Sequence, residues 1–296
     1  MRDSFYSYHP IVNFTYFLVV LVFSMMSRHP VCLGISIVTS IGYSVYLTGK
    51  KAVFFNLKYM LPLMIMTALF NPIFNHQGVT ILTYLPGGNP LTLESIIYGI
   101  SASVMLISVI TWFSCYNHIM TSDKFVYLFG RIIPGLSLIF SMTLRFVQKF
   151  KAQIKVISNA QKCVGRDVSN GNILHKIKHG ITIISIMITW ALENAIDTSD
   201  SMRSRGYGLP GRSAFSIYRF DRRDRNLLIF MLVCGIYVYV GYFTGGLFWE
   251  YYPSLMGSFT GPYTISIYAV WFILTSSPII LNLLEDRKWR ALKSGT

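Results

Sequence analysis

The stretch SMRSRGYGLPGR, residues 201–212, sets Arg203, Arg205 and Arg212 among three glycines. Guanidinium groups make forked, charge-assisted hydrogen bonds to carboxylates. A glycine next to one of them lets a second backbone come close. This is chemistry of recognition, suited to a groove on another protein that contains carboxylates. The same residues admit a plainer reading. Cations in the last turn of a helix complement its carbonyl end and can touch anionic lipid headgroups. Other constellations offer less. His175 and His179 stand at an i, i+4 spacing that could hold a metal, but no acidic third ligand or HExxH pattern accompanies them, so a solvated basic helix explains them better. No glycine-rich loop ends in GKS or GKT, and the chain is expected to bind no ATP or other cofactor itself. Cys32, Cys115, Cys163 and Cys234 lack pairing or ligand spacing and read as small buried hydrophobes.

The arginines need an element to carry them, and 181–205 supplies it. Ile184, Met187, Ile188, Ala191, Leu192, Ala195, Ser199 and Met202 recur in three- and four-residue steps, the stripe of one long helix. Glu193, Asp197 and Asp200 form an acidic line on another side. Gly206 is a natural helix stop, and GYGLPG cannot continue the helix.

The rest of the chain is mostly apolar. Of 296 residues, 53% are hydrophobic and only 13% charged, more apolar than a soluble domain of this size requires. The expected fold is an all-α integral membrane protein with about six transmembrane helices, near 11–27, 31–48, 55–74, 94–115, 227–246 and 264–284. A net charge of +14 would suit nucleic acid, but the basic residues sort by topology instead. With the N-terminus inside, every Lys and Arg except Arg28 lies inside or at the inner end of a span, the bias expected of a membrane protein. The first run lacks a cleavage site and reads as a retained span. Two shorter apolar stretches, 133–147 and 180–192, would put a lysine-rich segment outside if both crossed. They read as cytoplasmic or interfacial helices, with half-insertion left open. The expected organisation is a four-helix membrane part over 1–116, a cytoplasmic coupling region over 117–226, and C-terminal membrane helices over 227–296. Glu94 reads as a dipole-favoured acid at the outer start of the fourth span, and FDRRDR at 220–225 as a basic flank of the fifth.

SMRSRGYG resembles the signature that ends the second long cytoplasmic helix of EcfT, the transmembrane coupling subunit of energy-coupling factor transporters, and of its relative CbiQ. The similarity covers most of the chain: HPIVNFTYFLVVLVFS, NPIF with LTLESIIYGI, LRFVQKF at 144–150, and AQKCVGRDVSNGN at 160–172 follow in the family's order. One position departs. The family's first signature reads like AQRARGAD, and in that register its arginine falls on Val164, while Arg166 stands beyond Gly165. The resemblance implies a non-catalytic subunit of an ATP-driven importer of a vitamin or metal ion in the cell membrane, with both termini cytoplasmic. It implies docking of Ser204, Arg205 and Gly206 in one ABC ATPase and of Gly165, Arg166 and Asp167 in another. ATP and magnesium would belong to those ATPases. Ile184, Met187, Ile188, Ala191, Ala195 and Met202 would face a small membrane S component, which alone would set the substrate. A permease binding its own substrate and a membrane enzyme using the acidic line are the competing readings.

Overall fold

The computed structural model describes residues 4–84, 88–130, 134–166, 173–209, 218–257 and 259–294. The chain divides into two compact units, Met1–Lys124 with Tyr218–Thr296, and Phe125–Ile217. In the first unit, α1 (Pro10–Met26) and α2 (Pro30–Thr48) lead to α3 (Lys50–Phe55), which runs through a π-helical turn, Asn56–Met60, into α4 (Leu61–Phe74). Strands β1 (Ile81–Tyr84) and β2 (Pro90–Thr92) form a small antiparallel hairpin before α5 (Leu93–Ile119). Helix α6 (Ser122–Gly130) leads out of this unit. The second unit holds α7 (Pro134–Cys163) and α8 (Ile173–Ser204). The chain returns to the first with α9 (Arg222–Phe243), the two-residue strands β3 (Trp249–Glu250) and β4 (Met256–Gly257), and α10 (Pro262–Ser294).

Among the described residues six helical segments are long and apolar enough to cross a membrane: Pro30–Thr48, Lys50–Phe74, Leu93–Ile119, Ile173–Ser204, Arg222–Phe243 and Pro262–Ala291. The all-α membrane architecture expected from the sequence is therefore present. The six differ in membership from those expected. Helix α1, with 17 residues, is shorter than the others, while α8 qualifies by length and composition. Of the stretches 133–147 and 180–192, residue 133 lies outside the described residues, and the rest belongs to helices of 30 and 32 residues. The physical reason is that good helix formers flank each apolar stretch, lysine, glutamine and alanine in α7 and lysine, glutamate and alanine in α8, and carry the helix on beyond its apolar part. Not all the cysteines are buried either: Cys32 and Cys115 are, Cys234 is intermediate, and Cys163, in the last turn of α7, is exposed.

In the first unit α5 packs against α1, α2 and α4, and α10 against α2 and α9. Phe5, Tyr16, Phe17, Tyr43 and Trp112 form an aromatic centre, joined by Phe23 and Trp271 at a ring separation of 4.4 Å. Several polar groups inside this apolar body pair with one another, as favoured where water is excluded. Ser36 Oγ lies 2.9 Å from Ser24 Oγ and 2.6 Å from Ser108 Oγ, and accepts a hydrogen bond from Trp112 Nε1 at 3.1 Å. The Tyr16 hydroxyl donates to the Thr275 carbonyl at 3.0 Å. At Gly99 the backbones of α4 and α5 approach so closely that a Cβ would lie 2.6 Å from the Ala68 carbonyl oxygen. Small residues permit such contacts between membrane helices.

The helix starts show how local sequence places these rods. Helices α1 and α2 both open with His-Pro; His9 Nδ1 accepts from the Ile11 amide and His29 Nδ1 from the Val31 amide, each at 3.3 Å. Proline at the first helical position has its ring torsion already set for the helix. Asp224 is 3% exposed and accepts from the His9 amide at 3.2 Å and the Asp221 amide at 3.0 Å, so it ties the starts of α1 and α9 together. Burial holds the His9 imidazole below its usual pKa, against the upward pull of the Asp224 carboxylate.

Candidate coupling helices

Lys149 on α7 and Trp190 and Asn194 on α8 make the contact that joins the second unit. Lys149 Nζ donates to Asn194 Oδ1 at 2.8 Å and lies 5.6 Å from the Trp190 ring. Phe150 meets that ring edge-on, with centroids 5.6 Å apart. Ile157 of α7 and Ile183 of α8 are buried. Contacts between residues late in α8 and the middle of α7, continued by buried residues nearer the α7–α8 connection, give the two helices an antiparallel sense. Their C-terminal tips therefore lie on opposite sides of the shared contact. Thirteen residues separate Phe150 from Cys163, and ten separate Asn194 from Ser204. At 1.5 Å per residue the tips are up to about 35 Å apart.

Both tips end in the same device. At α7, the Gly165 amide bonds the Lys162 carbonyl at 3.0 Å and the Arg166 amide bonds the Gln161 carbonyl at 2.9 Å. At α8, the Gly206 amide bonds the Arg203 carbonyl and the Tyr207 amide the Met202 carbonyl, both at 3.0 Å. Gly165 and Gly206 share φ +78°, the left-handed conformation that this pair of bonds requires. A Cβ at Gly206 would also come within 3.2 Å of Leu209 Cδ1. With the caps superposed, Val164 corresponds to Arg205 and Arg166 to Tyr207. The residue just before the capping glycine is arginine in one tip and valine in the other.

Arg205 and Arg166 are exposed, and among the described residues neither has an acidic partner. Ser204 is exposed, its hydroxyl donating back to the Ser201 carbonyl at 2.9 Å. Val164 is 68% exposed, an apolar side chain standing where a polar anchor would be expected. Asp167 lies outside the described residues, as do 210–212 of the arginine-rich stretch. Glu193, Asp197 and Asp200 are all exposed on α8. His175 and His179 stack with centroids 6.3 Å apart.

The apolar stripe divides between two faces. Met187, Ala191 and Met202 are partly buried, on the flank of α8 that carries Ile183, Trp190 and Asn194. Ile184 and Ile188 are 59% and 55% exposed, and Ala195 is exposed with them. Leu192 belongs to this open face too, and Ile181 and Ile196, which the sequence-based stripe omitted, complete it. Their spacing follows the same helical period, but the stripe was drawn as one face, so residues on its far edge fell outside it. Asp224 was likewise missed as a cap, although an acid three residues after Asp221 is the pattern of a reciprocal helix cap.

A body of apolar helices, joined in sequence to a long antiparallel helix pair with glycine-capped basic tips and an uncovered apolar face, defines a multi-pass, all-α membrane protein. The chain belongs to the CbiQ family, described as cobalt transport protein, which matches residues 8–217. Among curated relatives it is 33% identical to the energy-coupling factor transporter transmembrane protein EcfT of Lactococcus lactis over 105 residues, 35% of this chain and 40% of that protein. It is 27% identical to the Streptococcus thermophilus EcfT over 209 residues, covering 67% of this chain and 79% of the relative. With the Bacillus selenitireducens EcfT the identity is 25% over 250 residues, 80% and 92% of the two chains.

Proposed function

We propose that this chain is the transmembrane coupling subunit of an energy-coupling factor importer, transmitting the motion of two cytosolic ABC ATPases to a membrane-embedded S component that binds a vitamin or metal ion. The observation that carries the reading is the pair of identically capped tips, each presenting an exposed guanidinium at an opposite end of one helix pair. Two motor subunits need two separate grips, and a rigid helix pair carries displacement of one grip to the other. Ser204, Arg205 and Gly206 occupy one groove; Gly165, Arg166 and Asp167 occupy the second. The open face of Ile184, Ile188 and Ala195, with Met187, Ala191 and Met202 on its edge, receives the S component. This chain holds no cofactor and catalyses no reaction; ATP and magnesium act on the partner ATPases. Sorting of Lys and Arg supports cytoplasmic termini in the cell membrane and a cytoplasmic α7–α8 unit.

Arg205→Glu tests the grip directly. An arginine paired with a carboxylate in a closed groove is worth about 2–5 kcal/mol when its partner is left alone. The variant should insert and express normally, yet lose co-purifying ATPases and substrate uptake. Retention of both at wild-type levels removes Arg205 from the coupling path.

A further inference from the structure

A groove of about 260 Å³ opens on the membrane-facing side of the first unit between α2, the α3–α4 helix and α5. Its floor is built by Ile107 and Thr111 of α5, both buried. Ile37, Ile41 and Val45 of α2 form one wall and Val53, Leu57 and Met64 the other. Val53 and Met64 are eleven residues apart, about 16 Å along the helix axis. One leaflet contributes about 15 Å of the hydrocarbon core. The groove therefore has the length of a single acyl chain in the leaflet on the Lys50 side.

Charge collects at that same end. Lys50 and Lys51 are exposed at the start of the helix, where the wall formed by Val45 and Val53 ends. Lys58 lies deeper, and its Nζ is 5.4 Å from the rings of both Phe54, one turn nearer the Lys50 end, and Tyr59. A lysine that extends its stem along apolar surface to reach the interface behaves in this way. Among the described residues none of the three has a carboxylate partner. The wall also carries two irregularities. Asn56–Met60 is a π-helical turn, a distortion found frequently at functional sites. The side-chain nitrogen of Asn56, Nδ2, which lines the groove, is buried without a hydrogen-bond partner.

We infer that this groove is a binding site for one anionic phospholipid, its acyl chain lying along Ile41 and Leu57, its phosphate held by Lys50 and Lys51, and its ester region near Asn56. A transmembrane helix of a partner fits this groove less well. Helices that associate in a membrane do so through small residues and close backbone contact, whereas this groove is narrow, lined by large aliphatic side chains, and basic at one mouth. The inference is independent of the role proposed for Arg205. In the orientation that places Lys and Arg inside, the leaflet concerned is the one enriched in anionic lipid.

The test uses the full-length chain, purified with whatever subunits accompany it, in phosphatidylcholine vesicles doped with a diazirine-acyl phosphatidylglycerol. After irradiation, adducts are mapped by peptide mass spectrometry. Adducts should concentrate on Ile41, Met60 and Met64, which line the groove, over Val38 and Phe54, which lie outside it and are 67% and 63% exposed. The double variant Lys50→Gln/Lys51→Gln should lower groove labelling about tenfold or more while leaving Val38 unchanged, since each interfacial lysine contributes on the order of 1 kcal/mol toward anionic lipid. Both lysines are exposed, so their loss should not disturb folding; Ile41→Trp, which fills the groove, is a second variant expected to remove the same adducts. Even labelling around the helices overturns the site. So does equal groove labelling by a diazirine-acyl phosphatidylcholine, or cross-linking of these residues to a partner's helix.

Discussion

A glycine at φ +78° closes both α7 and α8, preceded by Val164 in one and by Arg205 in the other. That single difference separates two hypotheses for the first tip. Either Arg166, displaced past the glycine, makes the contact, or the second tip alone carries the charge. If Arg166 acts, Arg166→Ala should weaken recovery of the ATPases in a pull-down. Adding Val164→Arg should restore it, because the cap geometry puts residue 164 where Arg205 stands in α8. Restoration of binding by the double variant, with no gain from Val164→Arg in the wild-type background, locates the contact at the cap. No loss from Arg166→Ala shows that the first tip uses no arginine. The spacing AQKCVGRD announced this departure, and the two caps explain it. The glycine must keep its place because only there is the left-handed turn available at low strain. An arginine shifted across it therefore leaves from a different direction.

At the scale of elements, the first unit depends on helix ends as much as on its aromatic centre. Asp224 serves two backbone donors from two helices, at 3.2 and 3.0 Å, while itself 3% exposed. Asp224→Ala leaves both amides without that acceptor; at about 1–3 kcal/mol for each buried donor left unpaired, thermal unfolding in detergent should move clearly to lower temperature. Asp224→Asn keeps an acceptor oxygen and should lose much less. If the alanine variant melts with the wild type, the bridge between α1 and α9 adds nothing to stability. FDRRDR was read for its positive charge, and its contribution to helix starts stayed hidden among four basic neighbours. Helices α7 and α8 show the opposite error. Hydropathy marked only their apolar stretches, 133–147 and 180–192, whereas the helices run to 30 and 32 residues, at least twice those lengths, because hydropathy is blind to polar helix.

For the whole molecule, the coupling scheme turns on the side of the membrane that the α7–α8 unit occupies. Charge sorting puts it inside, although α8 is long and apolar enough to cross. Cys163 reports on this directly, since it is exposed in the last turn of α7 while Cys32 and Cys115 are buried. In a variant retaining Cys163 as its sole cysteine, a membrane-impermeant maleimide should label inside-out vesicles and leave intact cells unlabelled. Labelling of intact cells would place the tip of α7 outside and break the coupling scheme.

Most of the membrane helices and the end of α8 were legible in the residues alone. Apolar run length, the side on which lysine and arginine fall, and the position of a glycine are local properties, and hydrocarbon and backbone sterics act on them locally. The family follows from the same ordered motifs. Tertiary structure decided the rest: which face of α8 packs on α7 and which stays open, that the two tips lie on opposite sides of one contact, that Asp224 is buried, and that Lys50 stands at the mouth of an acyl-sized groove. Each of these depends on residues far apart in the chain meeting in space. Periodicity gives a helix its faces; only the neighbour that arrives determines which of them is covered.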